Sequence, residues 1–201
     1  MFQGSRPVGW RLSVLFGLAS MLWGATARPP VQGPLCRPST AIVPVSMPIV
    51  HVSVPSGVIA AARFISSRYR VPPAQAVEIA YATFRDSEAH QLNPYLVLAV
   101  IAVESSFRPY VVNRYGGAYG LMQIAVRVHE RRVEEAGGAR RLFMIAPNIR
   151  IGVALLAQYG AQARSNVRHA LWRYSGGEHG YARRVLRLSA VLRRDAVTAH
   201  L

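Results

Sequence analysis

The feature that most constrains this chain is a run of nine apolar or aromatic residues, Tyr95 to Val103 (YLVLAVIAV), which is apolar on every side. A helix of this composition must be surrounded by other elements, because it has no polar face to turn toward water. Asn93 is a suitable N-cap for this helix, and Pro94 fits its first turn. The run therefore predicts a central helix in the core of a folded domain.

The segments around this run have helical periodicity. Residues 74–91 separate into an apolar and a polar side at helical spacing. The apolar side consists of Ala76, Val77, Ala80, Tyr81 and Phe84, and the polar side of Gln75, Glu78, Arg85 and Asp86. Further helices are predicted at Asn148 to Tyr159, Asn166 to Tyr174 and Gly180 to Arg194. Because alternating, strand-like runs are scarce here, we predict an all-α domain at residues 73–201.

The N-terminal segment has the organisation of a secretory signal. Arg6 and Arg11 precede the apolar run Leu12 to Trp23, and small residues follow up to Ala27. We expect residues 1–27 to be a signal peptide that is cleaved after Ala27. The alternatives are an uncleaved anchor and a buried core helix. Membrane contact is then expected only through the signal segment.

Residues 28–72 are predicted to be a Pro-rich linker or an N-terminal extension. Seven prolines of this segment precede Gly57, a density that blocks helices and denies a strand its full ladder. A tether is the expected result, although the apolar stretch Ala41 to Val54 could instead lie against the domain. Gly57 to Arg70 predicts a short helix that ends before a Pro-Pro pair.

Length, charge and cysteine content limit the class of protein. The 201 residues fit one domain with a tail, and the formal net charge of +15 comes from 24 arginines, with no lysine, against nine acids. This charge favours an anionic partner, but its sign alone does not choose among nucleic acid, phospholipid and cell-wall polymer. The single cysteine, Cys36, excludes an internal disulfide and a cysteine-built zinc site.

Several other chemistries lack their motifs. The six histidines show no H-E-x-x-H spacing, and the chain has no G-x-S-x-G elbow. We therefore expect neither a metal nor a cofactor. The arginine-rich last segment, with Arg183, Arg184 and Arg187, could be a nucleic-acid-binding helix. Its regularly spaced apolar residues favour a packed helix with a solvated basic face, so we expect no specific nucleic acid; such a face could still assist adhesion to an anionic envelope.

Glu104 directly follows the central run and is the first candidate for chemistry. Val97, Val100 and Ile101 share its helical face at i−7, i−4 and i−3. Partial desolvation and the negative end of the helix dipole would both raise its pKa. A carboxyl group that stays protonated near neutral pH is suited to general acid catalysis. The alternative is a glutamate that merely leaves the core at a helix end.

A glycine-rich segment follows, Asn113 to Ile124 (NRYGGAYGLMQI). Gly116, Gly117 and Gly120 allow a tight turn and a close approach of the backbone to whatever lies in a cleft. The segment is not a phosphate-binding Walker loop, because the required spacing and its lysine are absent. An ordinary turn between helices is the alternative.

Five blocks in this order resemble the soluble lytic transglycosylase domain family, a relative of goose-type lysozyme that cleaves peptidoglycan. Family members look like L-x-x-A-V-I-x-x-E-S-x-F, G-A-x-G-L-M-Q, N-I-x-x-G-x-x-x-L, A-L-x-x-Y-N-x-G and Y-x-x-x-V-L. The matching pieces are Leu96 to Phe107, Gly117 to Gln123, Asn148 to Leu156, Ala170 to Gly177 and Tyr181 to Leu186. The fourth block departs from the pattern, since Ser175 stands where many members have asparagine. The resemblance implies an all-α, lysozyme-like fold with a catalytic cleft.

The resemblance also implies roles for single residues. It makes Glu104 the catalytic acid/base, and Ser105 the residue whose hydrogen bond orients that carboxylate. The expected glycan contacts are Gly120, Met122 and Gln123 in the cleft wall, Tyr174 near the reacting sugar, and Ser175 at the position of the altered asparagine. Packing or architectural roles are expected for Phe107, Asn148, Gly152 and Tyr181.

The number of acids bears on the mechanism. Glycoside hydrolysis normally uses two carboxylates, but Glu104 is the only acid between Glu88 and Glu130. The mechanism implied by the resemblance needs only one carboxyl group. Glu104 protonates the oxygen of the MurNAc-GlcNAc β-1,4 bond and then deprotonates the C6 hydroxyl of MurNAc, which closes a 1,6-anhydro end. Such an intramolecular nucleophile benefits from a high effective concentration.

Two other functions remain open at this stage. One is a hydrolytic lysozyme, in which a distant acid folds into the cleft. The other is a non-catalytic peptidoglycan-binding or secretion-apparatus-associated protein that keeps the fold. The signal and the resemblance together imply export to the periplasm of a Gram-negative bacterium. Peptidoglycan glycan strands are the expected partner, and envelope or secretion-machinery proteins are open as further partners.

Overall fold

The computed structural model describes residues 54–198, which form a mainly helical domain. The predicted signal peptide and most of the Pro-rich segment, residues 1–53, lie outside the described residues. The described α-helices are α1 (Ser56–Tyr69), α2 (Pro73–Ala89), α3 (Pro94–Ser105), α4 (Glu130–Glu135), α5 (Ile145–Gln162), α6 (Val167–Tyr174) and α7 (Tyr181–Thr198). A 3₁₀-helix spans Ala139–Phe143. Within residues 54–198, no helix combines the length and the apolar character needed to cross a membrane.

A small antiparallel sheet interrupts the helices between α3 and α4. Its strands are β1 (Val112–Asn113), β2 (Ala118–Tyr119) and β3 (Ile124–Ala125), in the order β1-β2-β3. Tyr119 lies opposite Val112 in one pair and opposite Ile124 in the other. Strands of two residues are too short to show an alternating sequence pattern, so periodicity did not predict this sheet.

Helix α3 is the predicted central helix. The side chains from Leu96 to Ala102 are buried, and the helix packs against α2 and α7. Asn93 caps it as expected, since its Oδ1 accepts a hydrogen bond from the backbone N–H of Tyr95 at 2.9 Å. The helix ends at Ser106, which has a left-handed backbone conformation with φ of 51°. Glu104 therefore lies in the last turn, where the helix leaves the core.

The buried face of α2 is rotated away from the apolar side that periodicity predicted. Ala80 is buried as expected, but Val77 and Tyr81 are each 46% exposed. Asp86, placed on the polar side, is buried and receives a hydrogen bond from Nε of Arg85 at 2.8 Å. Helix α2 packs against α1, α3 and α5. Its buried face includes Ile79 and Thr83 and leaves out Val77 and Tyr81.

Helix α1 confirms the short helix predicted before the Pro-Pro pair, but it also belongs to the helical core. Val58 is 1% exposed and Ile65 is fully buried, and the helix packs against α2 and α7. Pro72 and Pro73 mark the start of α2, with Pro72 as its N-cap and Pro73 as its first residue. The helical core therefore begins before residue 73, where we placed the start of the domain.

Candidate active site

The candidate site is built around Glu104 at the end of α3. The seven residues from Leu96 to Ala102 anchor the helix in the core, while Glu104 itself is only partly buried. Because α3 packs against α7, the carboxyl group faces the first turn of α7. The position is the one that the apolar run predicted, a carboxylate at the boundary between the core and the surface.

Tyr181, the first residue of α7, holds the carboxyl group of Glu104. Its hydroxyl donates a hydrogen bond to Oε1 of Glu104 at 2.6 Å, and its side chain is 2% exposed. Burial, reinforced by the neighbouring Glu104, raises the pKa of Tyr181, so the phenol keeps its proton. We expected a packing role for Tyr181. The structure adds a direct contact with the carboxylate, 77 residues away along the chain.

The pKa of Glu104 is raised above its usual value. Desolvation by burial is the largest cause, and the negative charge of Glu178 acts in the same direction. The hydrogen bond from Tyr181 and the positive charge of Arg184 oppose the rise. Burial dominates because the carboxylate has lost much of its water and gains only one hydrogen bond from the protein in return. The direction of this shift is the one that a general acid needs.

Glu178 and Arg184 are members of the site that we did not assign to it from the sequence. They form an ion pair beside Glu104, with Nη2 of Arg184 at 2.5 Å from Oε1 of Glu178. Glu178 is the only acid between Glu135 and Asp195, and it lies in a glycine-rich loop before a predicted helix. That isolation was the available signal, but nothing in the spacing connected it with Glu104. We call Glu104, Tyr181, Glu178 and Arg184 the carboxyl site.

Tyr174 lies next to the carboxyl site, but its hydroxyl is used inside the protein. It donates a hydrogen bond to the backbone carbonyl of Met122 at 2.8 Å. Burial raises the pKa of Tyr174, with the charge of Glu104 contributing, which places this phenol close to the catalytic candidate. Tyr174 thus joins α6 to the glycine-rich segment beside Glu104, and its expected place near the reacting sugar stays a prediction.

Asn148 ties the glycine-rich segment to α5 through a buried group of hydrogen bonds. Its Oδ1 accepts from the backbone N–H of Met122 at 2.8 Å. Its Nδ2 donates to the carbonyls of Leu142 at 2.8 Å and of Tyr119 at 3.0 Å. The side chain is fully buried, so these partners replace the water that it would otherwise bind. The architectural role expected for Asn148 is what these bonds provide.

Gly120 and Met122 pack against Asn148 and do not offer side chains to a glycan. A Cβ at Gly120 would lie 2.1 Å from the carbonyl oxygen of Leu142 and 2.3 Å from Nδ2 of Asn148. Met122 is fully buried against Gly152, where a Cβ would lie 2.3 Å from the methionine sulfur. Both residues are buried, and the glycan contact expected of Gly120 and Met122 in the cleft wall stays a prediction. We call Asn148, Gly120, Met122 and Gly152 the Asn148 joint.

Gln123, the third expected wall residue, is partly exposed. Its Nε2 donates to the carbonyls of Gly120 at 2.9 Å and of Val111 at 3.1 Å. Its backbone has a positive φ of 46°. The amide thus braces the turn before β3, while the partly exposed side chain still reaches the surface.

Ser105 does not make the contact that the resemblance implied. It is 3% exposed, and its hydroxyl donates to the carbonyl of Ile101 at 3.1 Å, one helical turn back. A hydroxyl has one proton to donate, and here that proton is used within α3. The hydrogen bond that orients Glu104 comes instead from Tyr181.

Ser175 braces a loop between α6 and α7. Its hydroxyl donates to the carbonyl of Trp172 at 2.9 Å and accepts from the N–H of Glu178 at 3.0 Å. Phe107, for which we expected packing, is fully buried with its ring centroid 4.7 Å from that of Tyr69. Of the predicted site residues, the structure therefore brings Tyr174 and Ser175 near the carboxyl site and uses both as internal supports.

Two hollows on the surface bear on where ligands could lie. One of about 270 Å³ lies at the turn between β1 and β2 and includes Tyr115, Gly116 and Gly117. Another, of about 650 Å³, is lined mainly by apolar residues of α1 and includes none of the carboxyl site. We do not assign chemistry to the second hollow, because its lining is mainly apolar and it lies apart from the residues of the carboxyl site.

The carboxyl site can carry out proton transfer. It offers one carboxyl group with a raised pKa, and a phenol engages only one of its two oxygens. Among residues 54–198, the described hydrogen bonds of Glu104 leave its second oxygen, Oε2, without a hydrogen-bond partner. Among residues 54–198, no group of three or more His, Cys, Asp or Glu side chains gathers as a metal site would require.

Comparisons with known proteins identify a family that this chain matches. Residues 81–190, more than half of the chain, match the family model described as the transglycosylase SLT domain. The matched range includes Glu104, Asn148 and Tyr181. No curated protein and no solved structure gave a significant match.

Proposed function

Because the chain belongs to the transglycosylase SLT domain family, we propose that it is a peptidoglycan lytic transglycosylase with Glu104 as its single acid/base. The family acts on peptidoglycan in the cell envelope, and its fold is the lysozyme-like, all-α fold expected from the sequence. The proposal adds the bond that is cleaved, the type of product and the residue that does the chemistry. Export to the periplasm by the N-terminal signal is part of the same proposal.

The observation that carries the proposal is the state of Glu104. It is partly buried at the end of an apolar helix, its pKa is raised, and its Oε1 is held by Tyr181. Oε2 then gives its proton to the oxygen between MurNAc and GlcNAc, and the bond from that oxygen to C1 of MurNAc breaks. The ionised Glu104 next takes the proton of the C6 hydroxyl of the same MurNAc. The C6 oxygen bonds to C1, which closes the 1,6-anhydro ring without consuming water.

Tyr181 supports both steps. Its hydrogen bond stabilises the carboxylate that forms when the proton leaves, and it fixes the direction of Oε2. Since the raised pKa of Tyr181 keeps the phenol protonated, the hydrogen bond persists through the cycle. We expect activity to fall as the pH rises through the pKa of Glu104, because the general acid must be protonated at the start.

The test is Glu104→Gln in the purified full chain, with isolated sacculi as substrate. Release of muropeptides should fall by about a hundredfold or more, because the amide has no proton to donate. Mass spectrometry of the wild-type products should show anhydro ends, which lack the mass of the water that hydrolysis adds. Muropeptide release that continues unchanged in the variant would remove Glu104 from its role.

A folding control accompanies this test. The raised pKa of Glu104 means that the folded site favours the protonated form more than the unfolded chain does. The ionised form therefore costs the wild type stability as the pH rises from the unfolded pKa through the folded pKa, and costs nothing at lower pH. The glutamine variant does not ionise, so at neutral pH it should unfold at the same temperature as the wild type or at a higher one.

Hydrolysis of the same bond is the second candidate, and the position of Glu178 favours it. A second carboxylate near the first is what a hydrolase uses to activate water or to form a covalent intermediate. Glu178 is close enough to raise the pKa of Glu104, but it is paired with Arg184. Hydrated reducing ends in the wild type, lost in Glu178→Gln, would favour the hydrolase over the transglycosylase.

A further inference from the structure

The loop between α6 and α7, residues 175–180, has a fixed conformation that places one carboxylate. Ser175 accepts a hydrogen bond from the N–H of Glu178 and donates one to the carbonyl of Trp172. Gly176, Gly177 and Gly180 all have positive φ. The chain can therefore turn sharply three times within the loop and still present Glu178 toward the start of α7.

A continuous series of contacts runs from this loop to the proton donor. Glu178 pairs with Arg184, and Cζ of Arg184 lies over the ring of Tyr181, 5.7 Å from its centroid. This distance is within the range of a cation–π interaction. The hydroxyl of the same ring donates to Glu104 at 2.6 Å. Each contact holds the group that makes the next one.

We propose that Arg184, itself held by Glu178, is a positioning residue that acts through the ring of Tyr181 on the carboxyl group of Glu104. The inference rests on the proposed function, because it concerns how the same carboxyl group is aimed. It also gives Ser175 a role in this chain. The hydroxyl of Ser175 fixes the loop that carries Glu178. This support does not depend on the sugar contact that we expected at the same position.

The exposure of the ion pair determines the size of the effect. The side chains of Arg184 and Glu178 are 49% and 52% exposed, so water and salt screen their charges. The ring of Tyr181 is buried, and the guanidinium of Arg184 lies over one of its faces. We therefore expect removal of Arg184 to misorient the donor rather than to abolish catalysis.

The two members of the ion pair act on Glu104 with opposite sign. The charge of Glu178 raises the pKa of Glu104, and that of Arg184 lowers it. The other titratable groups that interact with Glu104 are Tyr181 on α7 and Tyr174 on α6, and burial raises the pKa of both, so neither ionises near neutral pH. A change of charge at either member should therefore move the pH profile in a direction set by its sign.

The experiment compares four single variants of the full chain in muropeptide release from sacculi. They are Arg184→Gln, Arg184→Lys, Glu178→Gln and the control Arg183→Gln. Arg183 is the matched control, because it is the neighbouring exposed arginine on α7 and makes none of the described contacts with the carboxyl site.

Arg184→Gln should lower kcat by roughly threefold to tenfold, as expected for loss of one cation–π contact and one exposed ion pair, with little change in KM. Arg184→Lys keeps the charge but loses the planar group above the ring, so its kcat should also fall, while its pH profile stays at the wild-type position. Arg183→Gln should match the wild type in both respects.

The alkaline limb of the pH profile gives the second readout. Loss of Arg184 removes an interaction that lowers the pKa of Glu104, so the limb should move to higher pH in Arg184→Gln. Loss of the charge of Glu178 should move the limb to lower pH. If Arg184 and Glu178 had only a structural role, Arg184→Gln and Glu178→Gln would both be less stable, but their alkaline limbs would not move in opposite directions.

The outcomes separate this inference from the proposed function. If the wild type releases muropeptides with anhydro ends and Glu104→Gln does not, the proposed function holds whatever the arginine variants do. If Arg184→Gln then behaves like Arg183→Gln, the positioning role of Arg184 is overturned and the proposed function is not. Shifts of the limb in the same direction for Arg184→Gln and Glu178→Gln overturn it as well.

Discussion

The Asn148 joint and the carboxyl site lie close together but are built in different ways. The joint is fully buried, and its bonds connect an amide with backbone groups at fixed distances. The carboxyl site is partly open, and its members are charged groups and phenols. Tyr174 connects the two, because its hydroxyl bonds to Met122 while its ring lies near Glu104. The Asn148 joint therefore fixes the positions of its groups by close packing, whereas the carboxyl site sets the proton affinity of Glu104 by electrostatics.

The largest effect should come from overfilling the joint. In Gly120→Ala the new methyl group would collide with the carbonyl of Leu142 and with Asn148, at a residue whose φ is already positive. We expect a loss of roughly 3 to 5 kcal/mol in the free energy of unfolding, measured by urea denaturation. The matched control is Gly117→Ala, which has a similar positive φ but nothing within 4 Å of the new Cβ.

The control should cost only about 1 to 2 kcal/mol, since it adds backbone strain without a collision. Equal losses in the two variants would mean that the joint is not closely packed around Gly120. The loss of stability in Gly120→Ala would then come from backbone conformation and not from a collision in the Asn148 joint.

An intermediate effect should come from the phenol of the carboxyl site. Tyr181→Phe keeps the ring but removes the hydrogen bond to Glu104, so kcat should fall by about tenfold, the size expected for one hydrogen bond to a charged group. That bond lowers the pKa of Glu104, so its loss raises the pKa. The alkaline limb of the activity profile should therefore move to higher pH.

Tyr174→Phe is the matched control for the phenol. Its hydroxyl bonds to the carbonyl of Met122 in the joint, so the variant should lose stability in thermal unfolding while the alkaline limb stays in place. A shift of the limb in Tyr174→Phe with none in Tyr181→Phe would reverse the roles that we assign to the two tyrosines.

The smallest effect should come from Ser105. Its hydroxyl bonds within α3 to the carbonyl of Ile101, so Ser105→Ala should change the free energy of unfolding by no more than about 1 kcal/mol. Muropeptide release should stay near the wild-type rate. A loss of activity comparable to that of Glu104→Gln would restore Ser105 to the orienting role that the resemblance implied, and would place the catalytic contacts outside the geometry described above.

The sequence predicted the helices and the candidate acid for a local reason. Helical spacing, the cap at Asn93 and the apolar run before Glu104 are properties of neighbouring residues, and the structure confirms the helices that they indicated. The rotation of α2 was missed because its buried face is set by packing against α1, α3 and α5, which are not neighbours at helical spacing. The two-residue strands were missed because they carry no periodic signal.

Local sequence patterns predicted the roles of single residues less well than they predicted the helices. The motif around Gly120 and Met122 indicated a glycine-rich turn near a ligand, and the structure places both residues in a buried joint. Glu178 and Arg184 belong to the carboxyl site, although nothing in their spacing pointed to Glu104. A contact between residues far apart along the chain leaves no trace in one sequence.

The sequence by itself determined the helical class of this protein, its central apolar helix and the acid at the end of that helix, because each depends on the order of residues within a few turns. The tertiary structure alone decided which groups surround that acid. Packing of α7 against α3 brings Tyr181 and Arg184 to this acid, and the loop before α7 adds Glu178. The proton affinity of a buried carboxyl group depends on its solvent and its neighbours, and only the folded chain assembles them.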